Sequence, residues 1–383
     1  MQLPNRIRED RLLAEFLEIV QIDSPVFHEG EFAGALECKL ASLGFHVVND
    51  HTGPSSGNLI ATLPGTIDGG KAVALSAHLD TVEPGRGIVP VVRDGVVWSS
   101  GNTVLGADNK ASLAAILETM KVVQGAELAH PDIELLITWG EEFGLAGAAK
   151  LDLSSIRSRL CFTLDGVSEI GTVITCAPIH YSFKATIKGR AAHAGAAPEK
   201  GINALVAAAK SIARMRLGRI DGETTANVGL LQAGTARNAV PALAKLEGET
   251  RSLDDSKGAS CLDAICRVMK EEAANVGAAL DLHTQLDYPS YRFAPDAPTI
   301  VAATLAVERI GVPVRLIPSG GGSDANILNA KGLPSVVLGT GMVDPHTVSE
   351  HIAVKDLVLL TALTLELVKL AGEGFPGVYG AQT

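Results

Sequence analysis

With 383 residues, 46% of them hydrophobic and 20% charged, the chain is too long for one ordinary domain and apolar enough to fill two cores, which excludes disordered and fibrous classes. A formal charge of −11, with no clustered run of Lys and Arg, excludes a polyanion binder, so no nucleic-acid partner is expected. Five cysteines (Cys38, Cys161, Cys176, Cys261 and Cys266), odd in number and without CxxC spacing, argue against both a disulfide framework and a Cys-rich zinc site.

Met1 to Asp10 is polar and charged, unlike a signal peptide. No stretch approaches the roughly 20 apolar residues that span a bilayer. A cytoplasmic protein with no membrane contact is therefore expected.

In chain order, apolar spacing predicts an amphipathic helix from about Glu9 to Ile22, stopped by Ser24-Pro25, and a second helix over Glu31 to Leu43. The run Ala72 to Ala77 reads as a buried strand ending at His78-Leu79-Asp80. Asn109 to Val123 reads as a helix after a turn at Gly106. Strand Ile133 to Trp139 runs out at Glu141-Glu142, before a helix over Phe143 to Leu151, and strand Leu160 to Leu164 runs out at Asp165. Three apolar strands thus end in acidic or imidazole side chains, the position where ligands gather in open α/β sheets.

From about Ala177 the pattern changes. Strand Tyr181 to Ile187, helix Gly201 to Met215, strands Thr225 to Leu231 and Leu243 to Arg251, helix Ser256 to Val276 and strand Leu280 to Tyr288 give a β-α-β-β-α-β order, the signature of a small ferredoxin-like sheet. After Pro289 to Pro298 the α/β pattern resumes, with helix Thr299 to Ile310, strand Val314 to Ile317, a helix over Asp324 to Ala330, strand Ser335 to Leu338 and helix Val354 to Ala371. The expected organisation is an α/β catalytic domain with a mixed central sheet, formed by residues 1–176 and 292–383, and an inserted α+β domain formed by residues 177–291.

His78, Asp108, Glu142, Asp165 and His346 are scattered along the chain yet fall at strand ends or turns of the discontinuous domain. Any one alone is more often a cap or a solvated turn residue. Together, imidazole and carboxylate suit zinc, and a carboxylate able to bridge suits a pair of metals. Asp80, two residues past His78, is placed to accept the other imidazole N–H. Adjacent carboxylates after a strand point in different directions, so Glu142 can bind metal while Glu141 faces the substrate as general base. An acidic turn favoured by the dipole of a following helix is the plainer account, and both can hold. His193, Asn238 and Arg251 lie in loops or at a strand end of the inserted domain, where such residues are usually solvated. Gly320-Gly321-Gly322-Ser323-Asp324 lacks the Lys and spacing of a P-loop, and close backbone approach to a substrate is the better reading.

At these residues the sequence resembles the M20 family of metallopeptidases, most closely its peptidase T-like branch. The matching segments are Ser76-Ala-His-Leu-Asp-Thr-Val-Glu-Pro-Gly85, Leu105-Gly-Ala-Asp-Asn-Lys-Ala111, Gly140-Glu-Glu-Phe-Gly-Leu-Ala-Gly147, Gly189-Arg-Ala-Ala-His-Ala-Gly195, Ala236-Arg-Asn-Ala-Val-Pro241, Gly320-Gly-Gly-Ser-Asp-Ala-Asn326 and His346-Thr-Val-Ser-Glu350, in family order over nearly the whole chain. The resemblance implies a zinc-exopeptidase fold with His78 and Asp165 on one zinc, Glu142 and His346 on the other, and Asp108 bridging. It implies that Asp80 orients His78 and that Glu141 is the base. The inserted domain would be a lid that also dimerises, with His193 helping to stabilise the oxyanion, Asn238 touching the substrate and Arg251 pairing with its carboxylate. Asn109 departs from the family, where many members carry a second Asp.

The expected activity is metal-dependent hydrolysis of an amide bond in a small peptide, foremost aminopeptidase action on tripeptides or dipeptides by a homodimer with two Zn2+, for which Co2+ or Mn2+ could substitute. The same machinery on an N-acyl amino acid would make a deacylase, and fold-level analogy does not choose between them. A binding protein without turnover is the alternative from another class.

Overall fold

The computed structural model describes residues 6–67 and 70–376. They fall into two compact units. One contains the chain up to Thr175, Arg292–Ser319 and the chain from Ser323; the other contains Cys176–Tyr291 together with Gly320–Gly322. The glycine turn, which reads from sequence as part of the first domain, thus groups with the second.

The first unit is built on a mixed sheet. Strand Val73–His78 lies between Ile133–Thr138 and Cys161–Gly166 and is parallel to both, and Cys161–Gly166 is parallel to Ser335–Gly339. Every residue of Val73–His78 and of Ile133–Thr138 is buried, as strands covered on both faces require, and this explains their largely apolar runs, interrupted by Ser76 and Glu134. Leu59–Leu63 pairs antiparallel with Ile133–Thr138, and His46–Asn49 pairs antiparallel with Leu59–Leu63. Their alternating burial is that of a half-covered edge.

Helix Ala107–Gly125 is buried along nearly its whole length and shares a core with Glu9–Val20 and Val354–Gly372. A helix apolar on all sides belongs at the centre of a large core. Its first turn is irregular: Gly106 has φ 72°, and Asp108 and Asn109 have non-helical backbone angles. A separate small sheet of Pro90–Arg93, Val96–Ser99, Met342–Val343 and His351–Ala353 carries the loop that holds His346.

The second unit has the expected element order. Ile179–Lys188, Thr224–Ala233, Leu243–Ser252 and Ala279–Tyr288 pair antiparallel throughout, with Ile179–Lys188 between Leu243–Ser252 and Ala279–Tyr288. Helices Ala204–Arg214 and Asp255–Asn275 contribute Ala204, Ala207, Ala208, Ile265 and Met269 to one core with Phe183, Ile187 and Leu246 of the sheet. This is the ferredoxin-like order, in which two helices cover one face of an antiparallel sheet. Among the described residues no helix is long and apolar enough to cross a membrane.

Candidate metal centre

Because Val73–His78, Ile133–Thr138 and Cys161–Gly166 are parallel neighbours, their C-terminal ends share one edge of the sheet, and His78 stands in register with Thr138. His78 is the last residue of its strand, Glu141 and Glu142 follow Ile133–Thr138, and Asp165 lies near the end of Cys161–Gly166. The irregular start of helix Ala107–Gly125 brings Asp108 to the same edge, and the loop before His351–Ala353 brings His346, whose φ is 64°.

Asp108 divides its two oxygens between two imidazoles. Oδ1 lies 3.0 Å from His78 Nε2, and Oδ2 lies 3.4 Å from His346 Nε2. Asp165 Oδ1 is 3.4 Å from His78 Nε2, and Glu142 Oε1 is 2.7 Å from His346 Nε2. Two donor sets result, His78 with Asp108 and Asp165, and Asp108 with Glu142 and His346, each with its ligand atoms within 4.8 Å of one another. Asp108 belongs to both. A third set, His78 with Glu141 and Glu142, overlaps them.

The electrostatics fit cations. Burial and the charge of Asp165 push Glu141 well above the usual carboxylate range, and burial lifts Asp165 to about 7 and also raises Glu142. Burial would raise Asp108 too, but its hydrogen bonds to His346 and His78 outweigh that and hold it low. Hydrogen bonds to Asp108 and Glu142 raise His346 to about 10. Carboxylates packed this closely repel one another, and divalent cations relieve the repulsion while meeting the N/O donor set that zinc favours. The residues therefore fit a pair of metal ions with Asp108 shared.

Asp80 acts differently from the sequence expectation. The group bonded to His78 Nδ1 is the backbone carbonyl of Asp80, at 2.9 Å, and the nearer carboxylate oxygen is 3.5 Å away. A carbonyl can only accept, so Nδ1 carries the proton and the lone pair of Nε2 is left for a metal. The Asp80 carboxylate instead accepts the backbone N–H groups of Glu141, at 2.9 Å, and Glu142, at 3.0 Å. It grips the turn that carries Glu141 and Glu142. The helix expected over Phe143 to Leu151 forms only over Ala146–Lys150, because the residues ahead of it form this turn.

Sequence reasoning missed other supports. The Glu350 carboxylate accepts the N–H groups of Gly106, at 2.8 Å, and Asp108, at 2.9 Å, fixing the backbone of the residue common to both donor sets. Glu29, fully buried, accepts the N–H of Gly140, at 3.2 Å, and that of Phe27, at 2.9 Å. The side-chain amide of Asn109 donates to the Leu164 carbonyl and to Asp165 Oδ1. An aspartate there could not donate and would repel Asp165, so the departure at this position has a local reason. Thr138 donates to the buried carboxylate of Asp324. Of these residues, Asn109 was visible beforehand as a departure from the family, and Asp324 and Glu350 as members of matching segments.

The other three expected site residues lie in the second unit. His193 is exposed, and its Nδ1 accepts the N–H groups of Gly195, at 3.2 Å, and Ala196, at 3.1 Å. In the neutral ring the proton then sits on Nε2, leaving that N–H as a donor. The Asn238 carbonyl accepts the N–H of Ala194 at 3.0 Å, so Asn238 and His193 are neighbours. Arg251 is already paired: Nε and one terminal nitrogen bind the two oxygens of Glu249, each at 3.1 Å, and the other terminal nitrogen lies 3.3 Å from the Tyr288 hydroxyl. The same hydroxyl accepts the Gly322 N–H at 3.2 Å, and a Cβ at Gly322 would meet the Tyr288 ring at 2.3 Å. Close packing on Tyr288, within the second unit, accounts for that glycine.

Comparison with known proteins gives a consistent set. The family described as peptidase dimerisation domain matches residues 180–277, and peptidase family M28 matches residues 58–213. The aminopeptidase PepT of Bacillus cereus is 39% identical in a crystal structure of TM-score 0.88, with 96% of this chain and 100% of that chain covered. A tripeptidase of Staphylococcus aureus is 36% identical with a TM-score of 0.91 over 96% of this chain and 100% of that one. The Bacillus subtilis protein YqjE is 40% identical over 96% of this chain and 100% of its own length.

Proposed function

We propose a function for a chain that belongs to the M20 family of metallopeptidases, in its peptidase T-like branch, and is an exopeptidase: it removes the N-terminal residue from tripeptides and dipeptides. The observation that carries the proposal is the pair of donor sets sharing Asp108, with Glu141 in the same cluster. His78 and Asp165 would hold one zinc, Glu142 and His346 the other, and Asp108 both. When bound, the two ions would polarise the scissile carbonyl and make water acidic enough to attack near neutral pH.

The rest falls to the chain's own side chains. Glu141, buried among carboxylates, has its proton affinity pushed upward, the direction needed by a group that accepts the proton of the attacking water and then passes it to the leaving amine. Asp80 holds the backbone of this residue in place. His193, with its donor on Nε2, would stabilise the developing oxyanion, and Asn238 and Arg251 would contact the substrate. Two structures of relatives, one described as an aminopeptidase and one as a tripeptidase, support the peptide reading over the acyl-amino-acid one. A homodimer paired through the second unit belongs to the same reading and is supported by the dimerisation-domain match; a cytoplasmic location is proposed with it. A monomeric mass in solution would remove the dimer.

The test is hydrolysis of matched tripeptides with free and acetylated N-termini, before and after chelation and zinc restoration. Chelator-sensitive cleavage of the free-amine peptide alone is expected. Release of acetate would move the assignment to a deacylase.

A further inference from the structure

The sheet face that carries His78 and Asp165 changes character with depth. Residues two apart on a strand share a face, and so do partners in register on neighbouring strands. Ala74, Ser76 and His78 therefore stand beside Cys161, Thr163 and Asp165, with Ala74 in register with Cys161 and Ser76 with Thr163. The deepest row is apolar: Ala74 and Cys161 pack with Leu136, Leu328 and Leu333 in a small core of their own. The outermost row holds residues of the candidate metal centre. Between the two lies a row of hydroxyls, Ser76 and Thr163.

Leu328 comes from helix Asp324–Ala330, and Asp324, four residues earlier, lies on the same face of that helix. Its carboxylate is thereby set over the same part of the sheet. Oδ2 accepts the hydroxyl of Thr138, the residue in register with His78. The other oxygen, Oδ1, together with Ser76 Oγ and Thr163 Oγ1, finds no hydrogen-bond partner among the described residues, and all three residues are at most 2% exposed. Thr163 meets the Cys161 thiol, a weak partner. Burial pushes the Asp324 carboxyl up to about 6, and Thr138 supplies the single side-chain hydrogen bond that opposes this. Buried oxygens in folded proteins are hydrogen-bonded, and where the chain offers nothing an ordered water does so.

We propose that Ser76, Thr163 and Asp324 bind one buried water beneath His78 and Asp165, and that this water helps to hold those two residues in place as ligands. The hydrogen-bond inventory closes on a single molecule. It donates to Asp324 Oδ1 and to one hydroxyl and accepts from the other, which makes about three bonds, the usual number for an internal water. A cation of the calcium type asks for about six or more oxygens. Ser76 is two residues before His78, and Thr163 two before Asp165, so the water ties both strands to the helix directly below one donor set. Glu142 follows a turn held by Asp80, and His346 lies in a loop, so neither depends on it directly. Disturbing the water therefore weakens the ion on His78 and Asp165 and spares the other. The positioning role rests on the ligand assignment proposed above; the water does not.

A crystal structure of the wild-type protein, at a resolution that shows ordered water, is expected to place one solvent oxygen within about 3.2 Å of all three side-chain oxygens. Side chains bonded to one another with no solvent oxygen between them overturn the proposal, as do contacts of about 2.3–2.6 Å, which mark a cation. The second measurement is zinc titration of the wild type and of the double variant Ser76→Ala with Thr163→Val, which leaves the water a single partner. One of two binding steps is expected to weaken by about tenfold or more while the other stays within about twofold, and anomalous scattering from the variant's crystals should show the lowered occupancy beside His78 and Asp165. A general loss of stability moves both steps alike or neither, and either result, or lowered occupancy beside Glu142 and His346 instead, overturns the positioning role. If the double variant does not fold, Ser76→Ala alone carries the same test. A wild-type protein that binds no zinc removes the metal reading, and its crystal structure still decides the water.

Discussion

Replacing Asp80 with Asn tests whether Glu141, the proposed base, is held by its backbone. The Asp80 carboxylate is fully buried and accepts two N–H groups, from Glu141 at 2.9 Å and Glu142 at 3.0 Å. The amide of Asn keeps one acceptor and turns the other into a donor facing an N–H. One charge-assisted bond is lost and a buried donor is left unpaired, at a cost of about 1.5–3 kcal/mol. If that cost falls on the presented geometry of Glu141 and Glu142, kcat/KM drops by about 10- to 150-fold. Zinc affinity should fall in the same variant by roughly 10- to 100-fold, the usual effect of disturbing groups that orient ligands. Tripeptide hydrolysis at saturating zinc gives the first quantity, and competition with a chromogenic chelator gives the second. An Asp80→Asn enzyme within twofold of wild type in both would refute the claim that this carboxylate sets the turn.

If Glu141 is the proposed base and not a ligand, Glu141→Gln should lower kcat by about 10²- to 10⁴-fold with zinc content unchanged; full activity in the zinc-loaded variant excludes it as the base. Metal binding must expel protons, because in the metal-free protein His346 is raised to about 10 and Asp165 to about 7 while ligands bind deprotonated. Affinity should therefore weaken as pH falls from 8 to 6, by about tenfold per unit for each proton displaced, and calorimetry in buffers of different ionisation enthalpy should register the release. A pH-independent affinity contradicts this. Gly322→Ala forces the Tyr288 ring away from a Cβ that would sit 2.3 Å from it, so KM should rise more than kcat falls. Arg11→Ala strips the bidentate partner, at 2.7 and 2.8 Å, from the buried Glu118, and denaturant unfolding should show a loss of about 2 kcal/mol; a change below about 0.5 kcal/mol would mean the pair is inert.

The strand ends were legible because burial on both faces forces largely apolar runs, and a polar residue that ends such a run stands out. His78, Glu141, Glu142 and Asp165 all follow that rule. The element order of the second unit was equally plain, since alternation and helical spacing are local properties. Strands His46–Asn49, Leu59–Leu63, Pro90–Arg93 and Val96–Ser99 escaped notice because they are short and half-covered, although each pairs with a near neighbour in sequence, Pro90–Arg93 with Val96–Ser99 across Asp94-Gly95. The supporting carboxylates were hidden for a different reason. Glu29, Asp80 and Glu350 bind backbone N–H groups, and a backbone N–H has no signature in sequence. Glu249 was hidden too: the strand expected over Leu243 to Arg251 turns both side chains to one side, but sequence does not show that the carboxylate occupies the guanidinium fork.

These hidden carboxylates have a common physical logic. A metal ligand must keep its lone pairs free, so the groups that hold it in place have to act on something other than its donor atoms. Asp80 grips the N–H groups of Glu141 and Glu142, and Glu350 those of Gly106 and Asp108, leaving the side-chain oxygens of Glu142 and Asp108 to face imidazoles. A neutral side chain in either supporting position would bind the same N–H groups more weakly, because charge roughly doubles the strength of such bonds. The choice adds more negative charge to a cluster already short of positive partners: burial lifts Glu350 to about 7, even though its bonds to Asp108 and Gly106 work in the opposite direction. Geometry is thus secured at an electrostatic cost that protons or bound cations can offset, and the proposed metal ions would displace those protons.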